Sequence, residues 1–100
     1  MIKVDDTAFV HRNNKWLMAI QTHWKVKEET NEGKAIDWLN AFYNKMRKYT
    51  IGAYQNFPDP SLLKAEDYMM DYYGENRVRL KKVKTKFDPN GLFNFPQMIK

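Results

Sequence analysis

The stretch from Gly74 to Ile99 constrains this chain more than any other. Arg77, Arg79, Lys81, Lys82, Lys84 and Lys86 lie on a segment whose apolar residues, Leu80, Val83 and Phe87, recur at spacings of three and four. That is the signature of a basic amphipathic helix with one buried stripe. Gly74 stops the element before it, Asn76 is placed to cap the new helix, and Asp88-Pro89-Asn90-Gly91 ends it. Asp, Pro and Gly fall at the first, second and fourth positions of a type I turn, each where its own chemistry favours the bend. The residues after it, Leu92 to Ile99, have no helical period but carry Phe93, Phe95 and Ile99 as apolar anchors. The expectation is a helix, an enforced turn and an extended strip that docks by those anchors.

At 100 residues the chain has room for one domain with a modest core. A hydrophobic content of 43% with 15% aromatics is too high for a disordered segment. No apolar run reaches the length of a membrane span, and the first residues lack the apolar core of a signal peptide. Without cysteine there is no disulfide, thiolate metal site or Cys nucleophile, and a reducing cytoplasm is the default localisation. The net charge of +5 is compatible with an anionic partner such as nucleic acid, but the excess sits in Arg77 to Lys86, where a solvated helix face accounts for it.

Upstream, Thr7 to Arg12 and Trp16 to Val26 are rich in β-branched and aromatic residues, with Asn13-Asn14 suited to the turn between them. A β-hairpin over 7–26 follows, with Trp16, Met18, Ile20, Thr22, Trp24 and Val26 on its core face and Leu17, Ala19, Gln21, His23 and Lys25 on the other. Lys27 to Gly33 reads as a charged loop. Residues 34–48 form a helix with a stripe of Ala35, Leu39, Phe42 and Met46, flanked by Ile36 and Tyr43; residues 51–57 form a strand ended by Pro58-Asp59-Pro60. Asp59 or Ser61 caps the next helix, which runs from about Leu62 to Tyr73 and buries Leu62, Met69 and Tyr72 or Tyr73. The fold class expected is α+β, a small antiparallel sheet covered on one face by helices, all within one domain whose 62–99 part is two helices and a docking tail.

Several of these segments, in this order, resemble the berberine bridge enzyme family of FAD-linked oxidases. Ala8-Phe9-Val10-His11-Arg12 looks like the strand opening the last hairpin of that family's substrate domain. Trp24 and the helix from Trp38 to Tyr43 sit where the family has a strand-end Trp and the following helix, and Tyr54-Gln55-Asn56-Phe57-Pro58-Asp59 is similar to its Tyr-x-Asn-aromatic-x-Asp signature. Tyr72 to Ile99 matches best, and the resemblance covers roughly residues 7 to 99. It implies a C-terminal fragment of a larger flavoenzyme, whose FAD is held mainly by a domain absent from this chain. Members oxidise alcohols, sugars or alkaloid-type substrates by hydride transfer to flavin. The fragment would complete the substrate pocket and pack on the FAD-binding domain or subunit, and alone it would be inactive.

By that resemblance Tyr54 and Asn56 are cofactor-side residues, and Phe57, Gln21 and His23 face the substrate pocket. Phe57 stands where many members have a Tyr acting as catalytic base, and a Phe has no ionisable group to take that role. The stretch from Phe57 to Tyr72 is shorter than in plant members and looks more like bacterial ones. Two other readings stay open: a free-standing basic module for an anionic partner, and a relic that kept the fold and lost the chemistry. His11 and His23, with Asp5 and Asp6, fall short of a metal site, which needs three or four convergent ligands. A detached fragment is expected to expose an apolar patch or to bury it by self-association.

Overall fold

The computed structural model describes residues 2–25, 29–64 and 68–100. They divide into two compact units, one of Met1–Lys15 with Gly52–Lys100, the other of Trp16–Ile51. The expected α+β class is not found: the described residues contain helices, turns and irregular segments but no β-strand. A turn does form one residue earlier than the expected Asn13-Asn14, centred on Arg12-Asn13 and closed by the Asn14 N–H on the His11 carbonyl at 3.3 Å, and no ladder extends from it. A two-stranded hairpin without a third strand or a helix to cover it is marginal in water. The exposure of the second segment fits that account. Trp16 is 90% exposed, Met18 and Trp24 are also exposed, and only Ile20 and Thr22 of the expected core face are half-buried. Val26 and Lys27-Glu28 lie outside the described residues.

In the Trp16–Ile51 unit, helix α1 spans Glu29–Met46 and tightens into a 3-10 turn, Arg47–Tyr49. It begins earlier than expected, taking Asn31 and Gly33 from the predicted loop. Its less exposed side is Ala35, Leu39, Tyr43 and Met46, a stripe at spacings of three and four. Phe42, expected inside, is instead stacked on Trp38 four residues earlier on the exposed side, with ring centroids 5.5 Å apart. Lys45 lies in the last turn of α1, where a cation is favoured by the helix dipole.

The other unit holds the core. Leu62, on a 3-10 helix Pro60–Lys64, packs with Tyr68, Met69 and Tyr72 of helix α2, Tyr68–Tyr73. Ala53, Tyr73 and Ile99 close around them. Each fully buried side chain of this size contributes on the order of 2 kcal/mol. Leu62, Met69 and Tyr72 were expected here; Tyr68 was not, and its hydroxyl donates to the Met98 carbonyl at 2.5 Å. Of the two caps expected for a helix from about Leu62 to Tyr73, Asp59 is the one used, and it caps the 3-10 helix Pro60–Lys64, its carboxylate accepting from the Ser61 N–H and hydroxyl at 2.9 and 2.7 Å. Gly74, at φ +51°, ends α2 with its N–H on the Met70 carbonyl.

Helix α3, Asn76–Phe87, follows but turns a different side inward from the one its apolar spacing indicates. Val83 and Phe87 are exposed, Phe87 at 73%, while Asn76, Arg77, Leu80 and Lys84 are half-buried. Asn76 does not cap the helix. Its side-chain amide donates to the carbonyls of Val4 and Thr7 at 2.8 and 3.0 Å, and Arg79 donates to the Asp5 carbonyl at 3.2 Å. Hydrogen bonds to the backbone carbonyls of Val4, Asp5 and Thr7 thus prevail over a stripe of two apolar residues in setting the orientation. The tail departs in the same sense: Phe93 and Phe95 are exposed, and the buried residue is Gln97.

The turn after α3 is built around Asp88. The Gly91 N–H meets the Asp88 carbonyl at 3.1 Å, and the carboxylate accepts from the N–H groups of Leu92 and Phe93 at 2.6 and 3.1 Å and from Lys84. Lys84 also donates to the Phe93 carbonyl at 2.8 Å. The Lys84 hydrogen bond, followed by those of Leu92 and Phe93, holds the Asp88 carboxyl below the usual carboxylate range against the opposing effect of burial. A depressed folded pKa gives stability that is fully present above the unfolded value of about 3.9 and lost as pH falls through the folded value. Urea midpoints of the wild type and Asp88→Asn should therefore differ by a constant amount above about pH 5 and draw together as pH falls through the folded value.

Gly52 supplies the second constraint. At φ +92° it lets the Ala53 N–H reach the Asp71 carbonyl at 2.9 Å, pairing one of the last carbonyls of α2. A Cβ there would stand 2.6 Å from that carbonyl oxygen and 2.8 Å from His11 Cε1. Gly91, at φ +64°, has nothing within 4 Å. Gly52→Ala should cost on the order of 3 kcal/mol and Gly91→Ala about 1 kcal/mol in urea unfolding.

Candidate functional site

Tyr54 to Phe57, expected as the end of a strand, form a turn instead, closed by the Phe57 N–H on the Tyr54 carbonyl at 3.0 Å. The turn brings Tyr54, Asn56 and Phe57 together. Asn56 donates from its side-chain amide to the Tyr54 hydroxyl at 2.8 Å, and the Phe57 ring meets Tyr54 edge-on at 5.5 Å. A phenol oxygen that accepts one hydrogen bond keeps its own proton to donate. Asn56 and Phe57 are exposed and Tyr54 half-buried, so the turn presents a phenol, an amide and an apolar ring side by side.

Phe9 supports Tyr54 from below, with centroids 5.9 Å apart and the planes nearly perpendicular. Arg12 lies over the Phe9 ring at 5.0 Å and donates to Thr7 Oγ1 at 2.6 Å. His11 fixes the approach to the turn: its Nε2 is 2.8 Å from the Ala53 carbonyl. A carbonyl only accepts, so Nε2 carries the proton and Nδ1 accepts from the Asn14 amide at 3.2 Å. Both ring nitrogens are thereby engaged, and His11 acts as a strut for Ala53, not as a base. The buried Nε of Arg12 and Oε1 of Gln55 have no hydrogen-bond partner, which leaves polar capacity on either side of the Phe9–Tyr54 contact.

Behind the turn, Asp59 is gripped through three of its polar atoms. Its N–H donates to the Tyr72 hydroxyl at 3.1 Å, that hydroxyl donates to Gln97 Oε1 at 3.1 Å, and Gln97 Nε2 returns to the Asp59 carbonyl at 2.7 Å. The remaining contact is the carboxylate cap on Ser61. Tyr73, beside Tyr72, has its phenol pushed upward, first by burial and then by the Tyr72 neighbour, so it stays protonated.

Gln21 and His23 belong to the Trp16–Ile51 unit, where both are exposed, and the strand face expected to align them is absent. Among the described residues, no group of three or more His, Asp or Glu side chains is placed to hold a metal ion. None of the described helices is long and apolar enough to cross a membrane. The basic run is largely committed to structure. Arg77 donates to the Gly74 carbonyl and pairs with Glu75, Arg79 holds Asp5, Lys84 holds the Asp88 turn and Lys86 lies over Phe87. Lys81 and Lys82 are exposed.

The Asp59–Tyr72–Gln97 ring and the His11 strut escaped the sequence reading. The available signal was an amide, Gln97, set between Pro96 and Met98 in a largely apolar strip.

Residues 53–100, which contain the turn and the ring, match the family described as Berberine and berberine like. Over 95% of its length the chain is 34% identical to the uncharacterized FAD-linked oxidoreductase YvdP of Bacillus subtilis, of which it covers 20%. It is 35% identical to a carbohydrate oxidase of Microdochium nivale, with 95% of the chain and 20% of the relative covered. It is 30% identical to the berberine bridge enzyme-like C-1 protein of Nicotiana tabacum over 98% of the chain and 23% of the relative. The chain thus spans about a fifth of the length of these relatives. No solved structure matches it significantly.

Proposed function

The chain belongs to the berberine and berberine-like family of FAD-linked oxidoreductases, and from that premise we propose that it completes the substrate pocket of such an enzyme and packs on the part that carries FAD. The observation that carries this reading is the Tyr54–Phe57 turn, a presented phenol and amide within the matched segment. The exposed Val83, Phe87, Leu92, Phe93 and Phe95 supply apolar surface for the packing.

In this reading Tyr54 and Asn56 contact the flavin ring, and Phe57 lines the substrate side. Bound flavin supplies the acceptor for a substrate hydride. The residues fit an edge contact of that kind. They do not fit the pyrophosphate: the glycines are isolated, at 33, 52, 74 and 91, and form no phosphate-cradling loop. FAD is therefore held mainly elsewhere, and the chain alone is inactive. A sugar hydroxyl is the first substrate class to test, after the carbohydrate oxidase relative.

Titration of FAD into the chain, followed by flavin fluorescence and Tm, should show neither quenching nor stabilisation. The same chain joined to the flavin-binding region of a family member should restore flavin reduction by substrate. Tight binding of FAD by the chain alone would refute the division of labour.

Phe57 places no ionisable group at the family's phenol position, so Phe57 itself cannot be the base. In the joined protein Phe57→Tyr should raise kcat and bring in a new basic limb of the pH–rate profile. An unchanged profile would place Phe57 away from the reacting atoms.

A further inference from the structure

We propose that Gln97 is a positioning residue for the Tyr54–Phe57 turn, acting through Asp59. Gln97 is the buried polar side chain among the described residues, and it sits in the tail, 38 positions beyond Asp59. Both ends of its amide are used, the oxygen by Tyr72 and the nitrogen by Asp59. Tyr72, 1% exposed, is the most deeply buried side chain and closes the ring on the Asp59 N–H. The Asp59 carbonyl also accepts from the Leu62 N–H at 3.0 Å, and its carboxylate caps Ser61. A residue held through N–H, carbonyl and carboxylate moves only with its partners.

What makes this grip reach the site is the backbone between. Pro58 and Pro60 flank Asp59. Each proline fixes its own φ, and each restricts the residue before it to extended conformations. Phe57, Pro58, Asp59 and Pro60 are therefore all conformationally restricted, and a displacement imposed at Asp59 passes to Phe57 without being absorbed by soft dihedrals. Phe57 in turn closes the turn on Tyr54, whose hydroxyl meets Asn56. The tail is thus coupled to the site by a stiff linkage, and the coupling residue is the amide rather than either exposed phenylalanine. The part that Gln97 plays in catalysis rests on the role already proposed for the turn; its positional effect stands without it.

The test is made on the chain itself, by nuclear magnetic resonance of Gln97→Met, which keeps the length of the side chain and removes both hydrogen bonds. The Asn56 side-chain amide and the Asp59 and Phe57 backbone amides should shift, while Val78 and Lys82 on the outer side of α3 stay in place. Tyr72→Phe, which keeps the ring in the core, should reproduce the pattern. In a Pro58→Gly background Gln97→Met should still shift Asp59 but no longer Asn56, because the linkage has been softened. Unmoved Asn56 and Phe57 resonances in Gln97→Met would overturn the inference. So would an Asn56 shift that persists undiminished with Pro58→Gly, since that is the mark of general loosening. These resonances decide the positional claim whether or not the joined flavoprotein is active, and activity of the joined wild type decides the functional reading separately.

Discussion

The larger unit depends on the burial of one amphipathic ring. Tyr72 carries an apolar body into the cluster of Leu62, Tyr68 and Met69 and delivers a hydroxyl to a place where two polar groups from distant segments need a partner. An unpaired phenol at that depth would cost roughly 1–3 kcal/mol, so the core forms only with Asp59 and Gln97 in position. Apolar packing and polar satisfaction are therefore one event here. The short helices on either side gain order from it that six and five residues lack on their own.

This explains which parts of the fold were readable from sequence. Turn and cap chemistry is local, and the Asp88 turn, the Gly74 stop and the Asp59 cap were all visible in a few adjacent residues. The pattern of α1 was visible for the same reason, although its start was hidden by a charged run that only looks like a loop. The side of α3 that faces inward was not visible. It is set by carbonyls of Val4, Asp5 and Thr7, some seventy residues away, which draw Asn76 and Arg79 toward them. Leu80, Val83 and Phe87 carry a helical period, and the period is real, but two of the three face solvent. The strands failed differently: alternation describes a segment's fitness for a sheet, and no neighbouring strand is present in the described residues to make use of it.

In the candidate turn the side chains of Tyr54 and Asn56 meet. They meet across a turn and not along a strand, so the two-residue spacing was informative for a reason other than alternation. The identity of Phe57 was itself the informative departure. The roles of His11 and Gln97 required coordinates, because each acts on a backbone carbonyl, and a carbonyl leaves no trace in sequence.

The contact of His11 with Ala53 has a topological meaning as well. It joins residues 42 positions apart that both belong to the larger unit, and so closes a long loop of chain. The entropy of closing such a loop grows only with the logarithm of its length. A chain closed in this way tolerates changes in the length of that loop at little thermodynamic cost while the His11–Ala53 contact is kept.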